Sequence, residues 1–311
     1  METVINTMPQ SVDMGEQVKR YSKHLGLFRN KKVKAEIICL DPVKDHCRIV
    51  QLMTAYEFPW DIIRSMEIAL MSTFCSPSIS GLLHRTGEYR NHGQKRYDDT
   101  ALLMAEFMEY GYDSDRGRRA IAHMNKMHAL YKIPNDDYLF VLATFVLHPI
   151  QWIDEFGWRK ITDNESQAIF YFFKEVGERM DLQNIPVSLI DLQKFFDEYV
   201  AKNFEFHNTN HALGNATVNI LKGWLPFFAK PFVLPVLKCM LDDNMLKVLG
   251  YSPASSWLKA LLRTGLKLRA ISLRLITFNK YPFFVTEKHT RTYPNGYEIE
   301  QLGPKKLLKK L

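Results

Sequence analysis

Apolar residues along this chain recur at intervals of three and four far more often than at two, a spacing that predicts helices rather than strands. Thr162-Asp163-Asn164-Glu165 spells a capping box and is followed by Ile169, Phe172, Phe173 and Val176 on one helical face. Ser114 is placed to cap a helix that runs to Pro134, with Ile121, Met124, Met127, His128 and Tyr131 on a common face. His123, five residues before His128, falls about 140° away around that helix. Asp41-Pro42 and Phe58-Pro59 put proline where a first helical turn tolerates it. Arg96 and Thr100 stand four apart at the start of a helix that continues through Leu102-Leu103 and stops near Gly111, and Asp98 and Asp99 suit the positive end of its dipole. Roughly a dozen helices of about 10–20 residues follow from this reading. Alternation is confined to the tail after Thr277, where Phe283-Phe284-Val285 and Tyr297-Glu298-Ile299 flank Pro294-Asn295-Gly296 and predict a small hairpin. With no internal repeat and no Gly/Ser-rich linker, the expected fold is all-α: one multi-helix globular domain.

Composition changes little in this picture. Of 311 residues, 46% are hydrophobic and 24% charged, enough apolar material for a sizeable core and typical of a globular protein. The net charge of +7 is gathered near the ends, at Lys19, Arg20, Lys23, Arg29, Lys31, Lys32 and Lys34, then at Lys305, Lys306, Lys309 and Lys310. No nucleic-acid reading motif accompanies it, so a solvated basic surface or attraction to an anionic membrane is the expected use. The four cysteines, Cys39, Cys47, Cys75 and Cys239, include no CxxC pair, which removes zinc-knuckle and thioredoxin-like chemistry. The first residues show no basic start leading into an apolar run, so no secretory signal is expected. The stretch from Trp224 to Met240 is broken by Lys230, Lys238 and prolines and makes a poor membrane span.

GxGxxG, P-loop, GxSxG and HExxH signatures are all absent, which weakens dinucleotide, nucleotide-triphosphate, serine-hydrolase and zincin readings. Among the 10 histidines, His207 and His211 are four apart and could share a metal ion if both lie on a helix. His128 lies on an apolar face, where an imidazole is either a hydrogen-bonded core residue or a ligand. His148 precedes Pro149 and marks either a helix break or a second inward-facing histidine. Arg96 and Thr100 read, on pattern alone, as a capped helix start. Phe140, Phe145, Trp152 and Tyr171 could line a cavity or simply form core.

Three stretches, in order, resemble the haem oxygenase family that includes rubber oxygenase (latex clearing protein) and the ER-bound oxygenase MpaB. They are Arg96-x-x-x-Thr100, the run AIAHMNKMHALYKIPNDDYLFVLATFVLHPI with its Met-His pair, and LGYSPASSW followed by LKALLRTGLKLRAISLRL. The likeness spans roughly residues 55–275. It implies haem b bound without covalent attachment, His128 as the proximal iron ligand, and Arg96 and Thr100 as catalytic and cofactor-binding residues. Some rubber-cleaving members carry a lysine just before the threonine that can take the sixth iron position; here that residue is Asp99, which cannot do so. Those enzymes also have an upstream glutamate proposed as a base, and Glu88 is the nearest acid here.

The resemblance implies an oxygenase acting with dioxygen on an apolar substrate, isoprenoid or alkene-containing. Its expected organisation is an N-terminal helical extension (1–54), a catalytic domain (55–275) and a C-terminal tail (276–311). No nucleic-acid partner is expected, and the expected location is cytoplasmic with membrane association. Two other readings stay open. One is a catalytically inactive peripheral membrane or lipid-binding module using the basic ends and the Trp224–Met240 region; the other is a non-haem metal enzyme at His207 and His211.

Overall fold

The computed structural model describes residues 31–275 and 282–308. Among these residues there are fourteen α-helices and no β-strand. The order is α1 (Lys31–Cys39), α2 (His46–Leu52), a π-helical turn (Met53–Glu57), α3 (Pro59–Thr73), α4 (Pro77–Thr86), α5 (Glu88–Tyr110), α6 (Asp115–His128) and α7 (Asn135–Phe156). Then come α8 (Asp163–Arg179), α9 (Leu189–Asn203), α10 (Asn208–Gly223), a 3-10 turn (Phe227–Phe232), α11 (Val233–Met240), α12 (Asp243–Val248) and α13 (Ser256–Leu275). A short 3-10 turn (Ile299–Gln301) and α14 (Lys305–Leu308) are the last of the described elements.

Local signals account for about half of the helix starts among the described residues. Pro59 and Pro77 each open a helix, where their missing N–H groups cost nothing. Ser114 accepts a hydrogen bond from the Gly117 amide at 2.9 Å, and Thr162 with Glu165 forms the complete capping box. Gly87 ends α4 and begins α5 at φ +72°, a left-handed conformation costly for any residue with a Cβ. Asp41-Pro42 departs from expectation: Pro42 lies in a turn, and α2 begins only at His46. Asp41 Oδ1 accepts the amides of Val43 and Lys44, so its side chain builds a turn instead of capping a helix.

α7 lies at the centre, packed against α3, α8, α9 and α13. It is the one single helix among the described residues long and apolar enough to cross a membrane, yet most of it is buried by its neighbours, the mark of a core helix. Pro149 does not break it. The helix runs on to Phe156, with Pro149 packed among Ile62, Met66, Ile169 and Phe173. Phe140 is fully buried and stacked on Tyr199, while Trp152 donates its indole N–H to Asp61, so both are core. Phe145 and Tyr171 are partly buried against Phe173 and Phe170.

The expected hairpin does not form. Thr277 lies outside the described residues, and the two flanking segments adopt no strand. Pro294 and Asn295 do make a turn, closed by the Gly296 amide on the Tyr293 carbonyl, with Gly296 at φ +93°. Acidic side chains of α5 take the place of a partner strand. Glu109 accepts the amides of Val285 and Thr286, Asp98 accepts the Thr292 amide, and Tyr293 and Tyr297 donate their hydroxyls to Asp99 and Glu106. Asp98 and Asp99 are therefore not dipole-satisfying residues at a helix start. They lie ten residues or more inside α5, which begins at Glu88 and kinks at His92 (φ −137°, ψ 37°).

Candidate functional site

α6 ends at His128, six residues before the expected stop at Pro134, so Tyr131 follows the helix instead of sharing its face. Ile121 and Met127 of that face are buried, and Met124 and His128 are partly so. His123 points elsewhere, with its Nε2 bonded at 2.6 Å to the Leu302 carbonyl in the tail. His128 Nδ1 is buried with no hydrogen-bond partner, and no bond to its Nε2 occurs among the described residues. Its ring lies 5.5 Å, centre to centre, from that of Tyr138 at the start of α7.

Burial, with the positive charge of Arg96 adding to it, pushes the His128 pKa down to about 4. The imidazole is therefore neutral at pH 7. The fold thus brings Arg96 into the field of His128, although 32 positions separate them in the chain. Arg96 Nη1 donates to the Thr100 hydroxyl, and that hydroxyl donates at 2.9 Å to the Arg96 carbonyl. The guanidinium also sits 5.7 Å from the centre of the Tyr89 ring. Glu88 and Arg96 both act on the Tyr131 hydroxyl, whose pKa burial raises. Glu88 therefore stands at the edge of this site. Asp99 does not belong to it: it is buried on the tail side of α5, paired with Lys95 at 2.8 Å.

Along α7, Tyr138, Val141, Phe145 and His148 remain partly open, although most of their neighbours in the helix are buried. Spaced three, four and three apart, they share one face that begins beside His128. His148 repeats the chemistry of His128, with Nε2 buried and unpartnered and a pKa lowered by burial to about 4. A buried, unpaired polar nitrogen costs free energy, on the order of 1–3 kcal/mol, unless a ligand completes it. Gln51 Oε1 and guanidinium nitrogens of Arg48 and Arg64 are also buried without a partner, but these two imidazoles alone among them offer a neutral nitrogen lone pair. An open groove of about 500 Å³ between α7 and α9 contains neither of them, nor Arg96, and is lined by residues such as Leu147, Gln151, Ile190 and Glu198.

His207 and His211 do not form a metal pair. His207 is the N-cap of α10, its Nδ1 accepting the Thr209 amide. His211 has both ring nitrogens engaged, by the Leu249 carbonyl and by Asn215. Among the described residues no group of three or more His, Cys, Asp or Glu side chains could hold a metal ion. A cluster that local pattern does not reveal is Arg64–Glu67–Tyr97. The Arg64–Glu67 pair is visible at spacing three, but Tyr97, which donates to Glu67 at 2.6 Å, lies thirty positions on. Burial raises the Glu67 pKa, placing a desolvated carboxyl on α3 against the residue next to Arg96.

Comparison with known proteins gives a consistent picture. The family described as "ER-bound oxygenase mpaB/B'/Rubber oxygenase, catalytic domain" matches residues 67–270. The ER-bound oxygenase mpaB' of Penicillium brevicompactum is 29% identical over 243 residues, covering 72% of this chain and 57% of that protein. The ER-bound oxygenase mpaB of Penicillium roqueforti is 29% identical over 213 residues, covering 63% and 72%. The mpaB of P. brevicompactum is 35% identical over 138 residues, covering 42% and 35%. The chain thus spans little more than half the length of the first of these relatives. Arg96, Thr100, His128 and His148 all lie inside the matched region.

Proposed function

The chain belongs to the ER-bound oxygenase mpaB/B'/rubber oxygenase catalytic-domain family, and on that premise we propose that it is an oxygenase working through haem b ligated by His128. One observation carries the reading: His128 is neutral, buried at Nδ1 and unpartnered, with a cation beside it. A proximal iron ligand must offer a lone pair, and an imidazole with a pKa near 4 is never protonated at working pH. The residues present fit the group. Arg96 supplies a fixed positive charge suited to a carboxylate such as a propionate, and Thr100 holds that guanidinium in place. The partly exposed face of α7, with Val141 and Phe145 at its middle, supplies apolar side chains for such a group to lie against.

When bound, haem supplies dioxygen activation at iron and so carries the difficult chemistry. The protein's own part is to exclude water around His128, to keep its ring deprotonated and to orient an apolar substrate along α7. Asp99 is tied to Lys95 and Tyr293 and is not available as a sixth ligand. The substrate class proposed is an apolar small molecule, isoprenoid or alkene-containing, taken together with dioxygen.

Reconstitution with haem tests the assignment. The wild-type chain is expected to retain haem with a Soret band, His128→Ala to lose it, and added imidazole to restore part of it in that variant. A Soret band identical in His128→Ala, or no haem retained by the wild type, would overturn the reading.

A further inference from the structure

α13 has two apolar faces, and the protein uses one. Leu258, Leu262, Leu266 and Leu273 turn inward as partly buried residues around the buried Ala270. Trp257, Leu261, Leu268, Ile271 and Leu275 recur at intervals of four, seven, three and four, form a stripe within about 80° of arc, and are all exposed. The helix is anchored with this stripe outward. Arg269 pairs with Asp61 of α3 at 2.9 Å and stacks over Trp60 at 3.8 Å. α11 packs against α13 and against the 3-10 turn before it. In that turn Phe227 and Phe228 are 86% and 74% exposed, while Trp257 at the start of α13 is 70% exposed. Large aromatic side chains left this open, on two elements that both pack on α11, are what a contact outside the folded chain would use.

The charges of this region are of one sign. α13 has five basic residues, Lys259, Arg263, Lys267, Arg269 and Arg274, and no Asp or Glu. The run from Lys222 to Leu241 likewise has lysines and no acid. Lys259 and Arg263 are neutralised by Asp243 and Glu155, but Lys222, Lys230, Lys267 and Arg274 make no ion pair among the described residues. A second copy seated here about a two-fold axis would set positive charge against positive charge. An anionic bilayer meets both demands, since its headgroups attract the lysines while the acyl boundary takes the aromatic rings.

We propose that α13, α11 and the Phe227–Phe232 turn form a membrane-docking face that lies in the interface of a bilayer containing anionic phospholipid, with Phe227, Phe228 and Trp257 inserted. This goes beyond the haem assignment and does not depend on it.

Flotation of the purified chain with phosphatidylcholine vesicles, with and without phosphatidylserine, provides the test. The wild type is expected to float with the phosphatidylserine vesicles, less so at high salt. Phe227→Ser combined with Phe228→Ser is expected to lower the bound fraction about tenfold, and Trp257→Ser to lower it further. Lys230→Glu with Lys267→Glu is expected to abolish the preference for phosphatidylserine. These residues are exposed, so circular dichroism and haem retention are expected to stay unchanged, which separates failure here from failure of the haem reading. Absence of flotation by the wild type would overturn the proposal. So would flotation indifferent to the aromatic substitutions, or a vesicle-free dimer that the same substitutions dissociate.

Discussion

Glu109 carries a carboxyl that the fold displaces upward. Burial raises its pKa to about 7, opposed by bonds from Thr286 and Val285. In the folded protein it keeps its proton at pH values where the unfolded chain, with an ordinary carboxyl pKa of 4.5, has lost it. Between those two values the native state binds more protons than the unfolded state, so stability falls as pH rises through that window. The contribution is complete below about 4.5 and gone above about 7, and is worth up to about 3 kcal/mol. Glu109→Gln is expected to flatten the dependence of the urea midpoint on pH across this window. A variant whose slope matches the wild type would show that another group is responsible. Single residues were also where the sequence was most and least informative. The apolar setting of His128 was visible from its neighbours. His123 could not be interpreted, because its partner is a carbonyl 179 positions away. Asp98 and Asp99 looked like dipole charges because local spacing cannot show that a distant tail needs acceptors.

Among the elements, caps are legible because their chemistry is local, whereas strands require a partner. The capping box at the start of α8 was spelled in four consecutive residues. The tail hairpin had suitable side chains, but α5 offered the tail amides better acceptors than a second strand would. Capping predicts a contrast within one motif. Thr162→Ala removes the N-cap acceptor and the hydroxyl that donates to Glu165, and is expected to cost about 1 kcal/mol. Glu165→Ala removes the other half of the box and also a fully buried partner of Arg159, leaving Glu57 as its one remaining carboxylate among the described residues. That loss of a buried ion-pair partner is expected to cost about 3–5 kcal/mol. Urea denaturation of the two variants measures the difference, and equal losses would mean that the Arg159 network contributes nothing beyond the cap. The kink at His92 is legible only in part: Gly93 beside it is a local weak point, but the close approach of Ile220 from α10, which would lie 2.9 Å from a Cβ at Gly93, shows only in the fold.

At the scale of the molecule, the C-terminal segment is a clamp across the two helices that carry the candidate site. Tyr293 and Tyr297 reach Asp99 and Glu106 of α5, the Gly303 carbonyl accepts from Lys95, Leu302 meets His123, and Glu300 pairs with Arg119 of α6 at 2.8 Å. Asp99 and Glu106 project about 90° around α5 from Arg96 and Thr100, on an adjoining flank of the same helix. Gly303 sits at φ +123°, so close to Met127 that a Cβ there would lie 2.4 Å from its sulfur, one residue from His128. The clamp therefore ties together the two helices that carry Arg96 and His128, through residues other than these two. Tyr297→Phe leaves the ring and removes the hydroxyl bonded to the buried Glu106 carboxylate, which keeps Arg116. It is expected to cost about 1–3 kcal/mol in stability. By loosening α5 against α6 it is also expected to speed the loss of bound haem to a scavenger, while the position of the Soret band stays unchanged because no site residue has been altered. If Tyr297→Phe lowered the denaturation midpoint and left haem loss at the wild-type rate, the tail would stabilise the fold without positioning the site.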